Sequence, residues 1–93
     1  MLRVRILAQA GETTLIVEGR VAGPWVEELA GCWAQARAGS SVTALHVDLD
    51  GATFISESGK ALLAEIQRQG GVLDGHGCMT REIVEEITRR NSG

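Results

Sequence analysis

The sequence predicts an α/β fold, a mixed β-sheet with helices packed on it, in the order β-β-α-β-α-β-α. Three observations carry this expectation. Leu2, Val4 and Ile6 alternate with Arg3, Arg5 and Leu7, which is the period of two of a half-buried strand. From Trp25 the apolar residues Val26, Leu29, Ala30, Trp33 and Ala36 change to helical spacing. After that helix, strand-like and helix-like stretches alternate to the end of the chain.

Each element has a local reason. Gln9-Ala10-Gly11-Glu12 is a turn signal, and the β-branched, apolar run Thr13 to Glu18 completes a hairpin with the first strand. Gly19-Arg20-Val21-Ala22-Gly23 breaks the strand pattern. Pro24 suits a first helical turn, where its missing N–H costs nothing. Gly31 weakens this helix by up to ~1 kcal/mol relative to Ala, which suggests close packing there. Gly39-Ser40 ends the helix. Val42 to Leu49 reads as the central strand, Asp50-Gly51 as a turn, and Thr53-Phe54-Ile55 as a short apolar bridge. Ser56 or Ser58 can cap a helix carrying Leu62, Leu63 and Ile66, which Gly70-Gly71 stops. Val72-Leu73 is a short strand. Thr80 then caps a last helix with Met79, Ile83, Val84 and Ile87 on one face. Its glutamates come early and Arg89 and Arg90 late, which suits the helix dipole. Glu85/Arg89 and Glu86/Arg90 stand at the favoured i, i+4 spacing.

Composition narrows the function classes. A chain of 93 residues is expected to form a single domain, residues 1–93. Its core must be aliphatic, because aromatic residues are 3% of the chain. A net charge of −3, with short basic clusters at Arg3/Arg5 and Arg89/Arg90, argues against nucleic-acid binding. Cys32 and Cys78 are too few for a secreted disulfide framework, and both read as buried free thiols in a reducing cytoplasm. No apolar run reaches the ~18–20 residues of a membrane span. The expectation is a cytoplasmic protein without membrane insertion.

The informative stretch runs from Leu45 to Leu63: Leu-His-Val-Asp-Leu-Asp-Gly-Ala-Thr-Phe-Ile-Ser-Glu-Ser-Gly-Lys-Ala-Leu-Leu. An acidic-apolar strand end, a Phe-Ile pair and a Ser-Gly helix opening follow one another here. This resembles the strand-loop-helix signature of the STAS domain, named for sulphate transporters and anti-sigma factor antagonists. The order of elements over the whole chain also matches that family. The resemblance implies a non-enzymatic interaction module with no cofactor and no catalytic residue. In its bacterial antagonists, a serine of Asp-Ser-Ser-Gly is phosphorylated by a partner kinase that is itself the anti-sigma factor. Phosphate adds about two negative charges and blocks the contact.

Carried over residue by residue, the family's Asp falls on Ser56 and its phosphorylated Ser on Glu57. Its second Ser and Gly fall on Ser58 and Gly59, and its usual apolar residue on Lys60. The resemblance therefore makes Ser56, Glu57, Ser58, Gly59 and Lys60 the partner-binding region, with no phosphoacceptor at the usual place. A helix N-terminus favours an anion. Glu57 thus has two readings: it partly mimics a phosphorylated state or marks a module that works without the switch, or it is simply a good first-turn residue. Ser56 and Ser58 are alternative phosphoacceptors whose default role is capping. The implied partner is an anti-sigma factor kinase, and the alternative is a transporter ATPase or scaffold that the chain serves as an accessory subunit. Family members usually continue into a further strand and helix. This sequence stops at Gly93, so a shortened C-terminal end is expected, with a sheet edge open to a partner or a homodimer.

Other clusters carry less. His46, inside the central strand, reads as a structural histidine. His76 and Cys78 stand two apart in a glycine-rich loop. With only Cys32 and His46 to add, they make no recognisable metal site. Asp48 and Asp50 fall on one face of an extended segment at a strand end, where α/β sheets place ligands; the competing reading is a turn plus an exposed acid. A small enzyme using Asp48/Asp50 or His76/Cys78 is the rival from another class. Of Trp25 and Trp33, at least one is expected in the core, and an exposed one would suit an interface.

Overall fold

A computed structural model of the chain describes residues 2–9, 11–38 and 44–92. Among these residues, four strands and three helices follow the expected order: β1 (Leu2–Gln9), β2 (Glu12–Val21), α1 (Pro24–Ala38), β3 (Ala44–Ile55), α2 (Glu57–Arg68), β4 (Val72–Asp74) and α3 (Cys78–Ser92). The helix end at Gly39-Ser40, the strand start at Val42-Thr43 and Ala10 of the hairpin turn lie outside the described residues.

The sheet order is β1-β2-β3-β4. β1 and β2 form an antiparallel hairpin, while β2–β3 and β3–β4 are parallel. Parallel neighbours need a crossover, and α1 and α2 supply the two. Alternation then sorts the side chains. Leu15, Val17, Val21, Val47, Leu49, Ile55 and Leu73 are buried in one cluster with Leu29, Trp33, Leu63, Ala64, Ile66 and Ile87 of the helices. Thr14, Ile16, Glu18, Arg20, His46 and Asp48 alternate with the buried set and stay partly or fully exposed. The helices therefore cover one face and leave the other open.

Several elements differ from their sequence expectation. β2 runs on to Val21 through Gly19-Arg20 instead of breaking there. Asp50-Gly51 is not a turn, because β3 continues from Ala44 to Ile55. The ladder absorbs the extra length in two register shifts. Ile16 pairs with Asp48 but Glu18 with Gly51, and Gly19 pairs with Ala52 but Arg20 with Phe54. Each step leaves one surplus residue on β3, the signature of a bulge. Gly51 serves close approach: a Cβ there would lie 2.8 Å from Cγ of Glu18 and 3.0 Å from the Val17 carbonyl oxygen. Thr53-Phe54-Ile55 belongs to the same strand.

α1 begins at Pro24 as expected, with Leu29 and Trp33 buried and Trp25 37% exposed. The Trp33 indole N–H donates to Gln69 at the end of α2, 2.9 Å away. α2 ends where Gly71 and Gly70 donate to the carbonyls of Ile66 and Gln67 at 2.9 and 3.1 Å. Gly70 has φ +99°, and a Cβ on Gly71 would meet Ile66 and Trp33 at 2.6 and 2.7 Å. Helix α3 starts at Cys78, two residues before the expected cap Thr80. Thr80 lies buried inside the first turn, where its hydroxyl is placed toward the Gly77 carbonyl and Asp50. Cys78 is exposed and Cys32 only half-buried, so neither is the fully buried thiol that was expected.

Candidate functional site

The first turn of α2 gathers the residues singled out by the sequence. Ser56, extended at φ −74° and ψ 171°, is the N-cap. Its Oγ accepts the Gly59 N–H at 3.1 Å, and its carbonyl accepts the Lys60 N–H at 2.8 Å. Its own N–H donates to the Val21 carbonyl at 2.9 Å, tying the helix start to the end of β2. Ser58, the other candidate cap, instead exchanges a hydroxyl contact with Ser56 at 3.0 Å. Gly59 is buried because a Cβ would strike the Val21 carbonyl oxygen at 2.8 Å and Ile55 at 3.0 Å. The sequence position of this glycine thus sets how closely α2 seats on the sheet.

Glu57 projects outward, its side chain 77% exposed, yet it has partners. Arg90 of α3 donates to its carboxylate at 2.9 Å. Lys60 lies 3.6 Å from it and 3.1 Å from Glu86, and Arg90 also lies 3.7 Å from Glu86. Two acids and two bases from α2 and α3 therefore alternate around one cluster. The Arg90 hydrogen bond, reinforced by the Lys60 charge, holds the Glu57 carboxyl below its ordinary value. The Glu86 hydrogen bond raises the Lys60 ammonium, and the Glu57 bond raises Arg90. The anticipated Glu86–Arg90 pair is part of this network, and Glu85 pairs with Arg81 at 3.8 Å. Sequence reasoning did not link Glu57 to Arg90. Their separation of 33 residues leaves no local spacing to read.

The carboxylates of Asp48 and Asp50 take different partners. The Asp50 backbone N–H donates to the Asp48 carboxylate at 2.9 Å. The Asp50 carboxylate turns to the start of α3. It accepts the N–H groups of His76 and Gly77 at 2.6 and 3.0 Å, and the Thr80 hydroxyl stands 3.1 Å from it. His76 Nδ1 faces its other oxygen at 3.0 Å. Bonds from Gly77 and His76 hold this carboxyl far below the ordinary value, and Asp50 raises His76. Asp50 is thus a cap supplied from a distant strand to a helix N-terminus. The turn reading does not describe it, because β3 runs on through Asp50-Gly51.

His46 meets Asp74 through Nδ1 at 3.2 Å and Glu12 through Nε2 at 3.7 Å, linking β2, β3 and β4 across the open face. Among the described residues, no three His, Cys, Asp or Glu side chains stand together as a metal site, and no helix is long and apolar enough to cross a membrane.

No protein-family model matches the chain, and no curated protein matches it. Solved structures do match its fold. The anti-sigma factor antagonist SpoIIAA, in its unphosphorylated form, aligns over 100% of this chain and 99% of its own, with a TM-score of 0.64 and 15% identity. The crystal structure of Mglu aligns over 78% of this chain, with a TM-score of 0.62 and 17% identity, and the chain spans 19% of that protein's length. The chain has the fold of the antagonist, with its element order.

Proposed function

We propose that this chain is a single-domain, non-enzymatic interaction module of a bacterial cytoplasmic signalling pathway. It acts as an anti-sigma factor antagonist does, binding a protein partner such as an anti-sigma kinase. The contact surface is the first turn of α2: Ser56, Glu57, Ser58, Gly59 and Lys60. The observation that carries this reading is the Glu57 carboxylate at the α2 N-terminus, held by Arg90 at 2.9 Å. A fixed carboxylate stands where a phosphoswitch would need a hydroxyl. It brings one charge where phosphate brings about two, so the surface stays in one electrostatic state. Ser56 is committed to capping, which leaves the exposed Ser58 to touch a partner.

A second reading is an accessory subunit of a transporter or scaffold complex. The same ion pair favours it, because that role needs no switch.

Affinity capture from native lysate with mass-spectrometric identification tests both. The first reading expects a kinase of the anti-sigma type, lost on Ser58→Arg. Recovery of a transporter ATPase without a kinase supports the second. Incubation with the captured kinase and ATP should leave the chain unphosphorylated, and phosphate on Ser56 or Ser58 would overturn the no-switch reading.

A further inference from the structure

Among the described residues, the sheet order leaves β1 with a neighbour on one side only. Its eight residues pair with β2 residue for residue, without a register shift. In an antiparallel ladder every second residue of such an edge turns its N–H and C=O away from the sheet. Proteins usually guard an open edge with proline, a bulge, a short strand or charge. β1 has no proline and no bulge, and its charges sit at one end, at Arg3 and Arg5. Arg5 is drawn to Glu18 of β2 at 3.3 Å.

The other end, Ile6-Leu7-Ala8, is uncharged and exposed. Ile6 is 56% exposed and pairs with the buried Leu15, so it points to the helix-covered side beyond the cover. Leu7 is 46% exposed and pairs with Thr14 on the open side. Apolar side chains left bare on both faces of an unpaired strand favour a further strand beside it.

We infer that β1 pairs antiparallel with β1 of a second copy about a two-fold axis, joining the two sheets edge to edge. This does not rest on the α2 surface. The charge pattern selects the occupant. Two-fold pairing must set residues of like face opposite each other, so the register centres on one residue. Centred on Ile6, Arg5 meets Leu7 and Arg3 meets Gln9. Centred on Leu7, Arg5 meets Gln9 and Ile6 meets Ala8. Centred on Arg5, the two arginines would collide, which like charges penalise. The self-pairing that buries the apolar half is therefore also the one that keeps the arginines off each other. The outer edges that remain are β4, three residues ending in Asp74, and the part of β3 beyond Asp48 that β4 does not reach, which carries the bulges; a short charged strand and a bulged one both resist further pairing, so the assembly closes.

Sedimentation velocity on the full chain across the micromolar range tests this. The expected result is a reversible dimer of twice the chain mass. Ile6→Lys and Leu7→Lys should each weaken it by about tenfold or more, with an unchanged circular dichroism spectrum. Ile6→Val should leave it intact. A chain that stays monomeric throughout overturns the proposal, as does a dimer indifferent to both lysine variants. Hydrogen exchange gives a second measurement, since the outward amides of β1 should gain protection with rising concentration.

Discussion

Asp50 serves two structural roles with one side chain and backbone. Its N–H meets Asp48 within the β3 bulge, and its carboxylate caps α3 through His76, Gly77 and Thr80. Read alone, Asp-Gly is a turn signal, because the groups that redirect it lie 26 to 30 residues away. The pair with His76 makes a pH prediction. Asp50 raises His76 above its ordinary 6.5, so this contribution is complete below that value and fades as pH rises through the folded-state value. Asp50 itself is lowered, so its contribution is present above its ordinary 3.8 and fades only in strong acid. Thermal unfolding should therefore show a loss of Tm on the alkaline side of 6.5 that His76→Gln removes. A wild-type and variant Tm that track each other across that range would refute the coupling.

At the level of elements, the α2–α3 contact is partly electrostatic. Glu57, Lys60, Glu86 and Arg90 alternate in sign, so no acid lacks a base. Glu86 and Arg90 were legible at i, i+4 spacing, and Glu57 was legible as the residue in place of a phosphoacceptor. That these belong to one cluster was not legible, because helix crossing is a tertiary event. Reversing Arg90→Glu should lower Tm through repulsion with Glu57 and Glu86. Adding Glu57→Arg should restore part of the loss, and high salt should shrink both effects. Equal Tm values for the single and double variants would show that the pair carries no coupling.

For the whole molecule, the buried aliphatic layer between sheet and helices supplies the main driving force. Leu63→Ala, fully buried at its centre, should cost about 2.7–5 kcal/mol by creating a cavity. Denaturant unfolding with an unchanged m-value checks this, and a cost below about 1 kcal/mol would show that the layer is loosely packed.

By itself the sequence determined the element order, the hairpin, the Pro24 helix start, a serine cap at Ser56 or Ser58 and most of the core, and the structure chose Ser56. All of these follow from periods of two and 3.6 and from capping chemistry within a few residues. Tertiary structure decided the length of β3 and its two bulges, the start of α3 and the bond between Glu57 and Arg90. It also decided which edge and which face stay bare. Each of these depends on groups that are distant in the chain. β3 can run through Asp50-Gly51 because β2 on one side and the α3 N-terminus on the other satisfy what a turn would otherwise have satisfied locally.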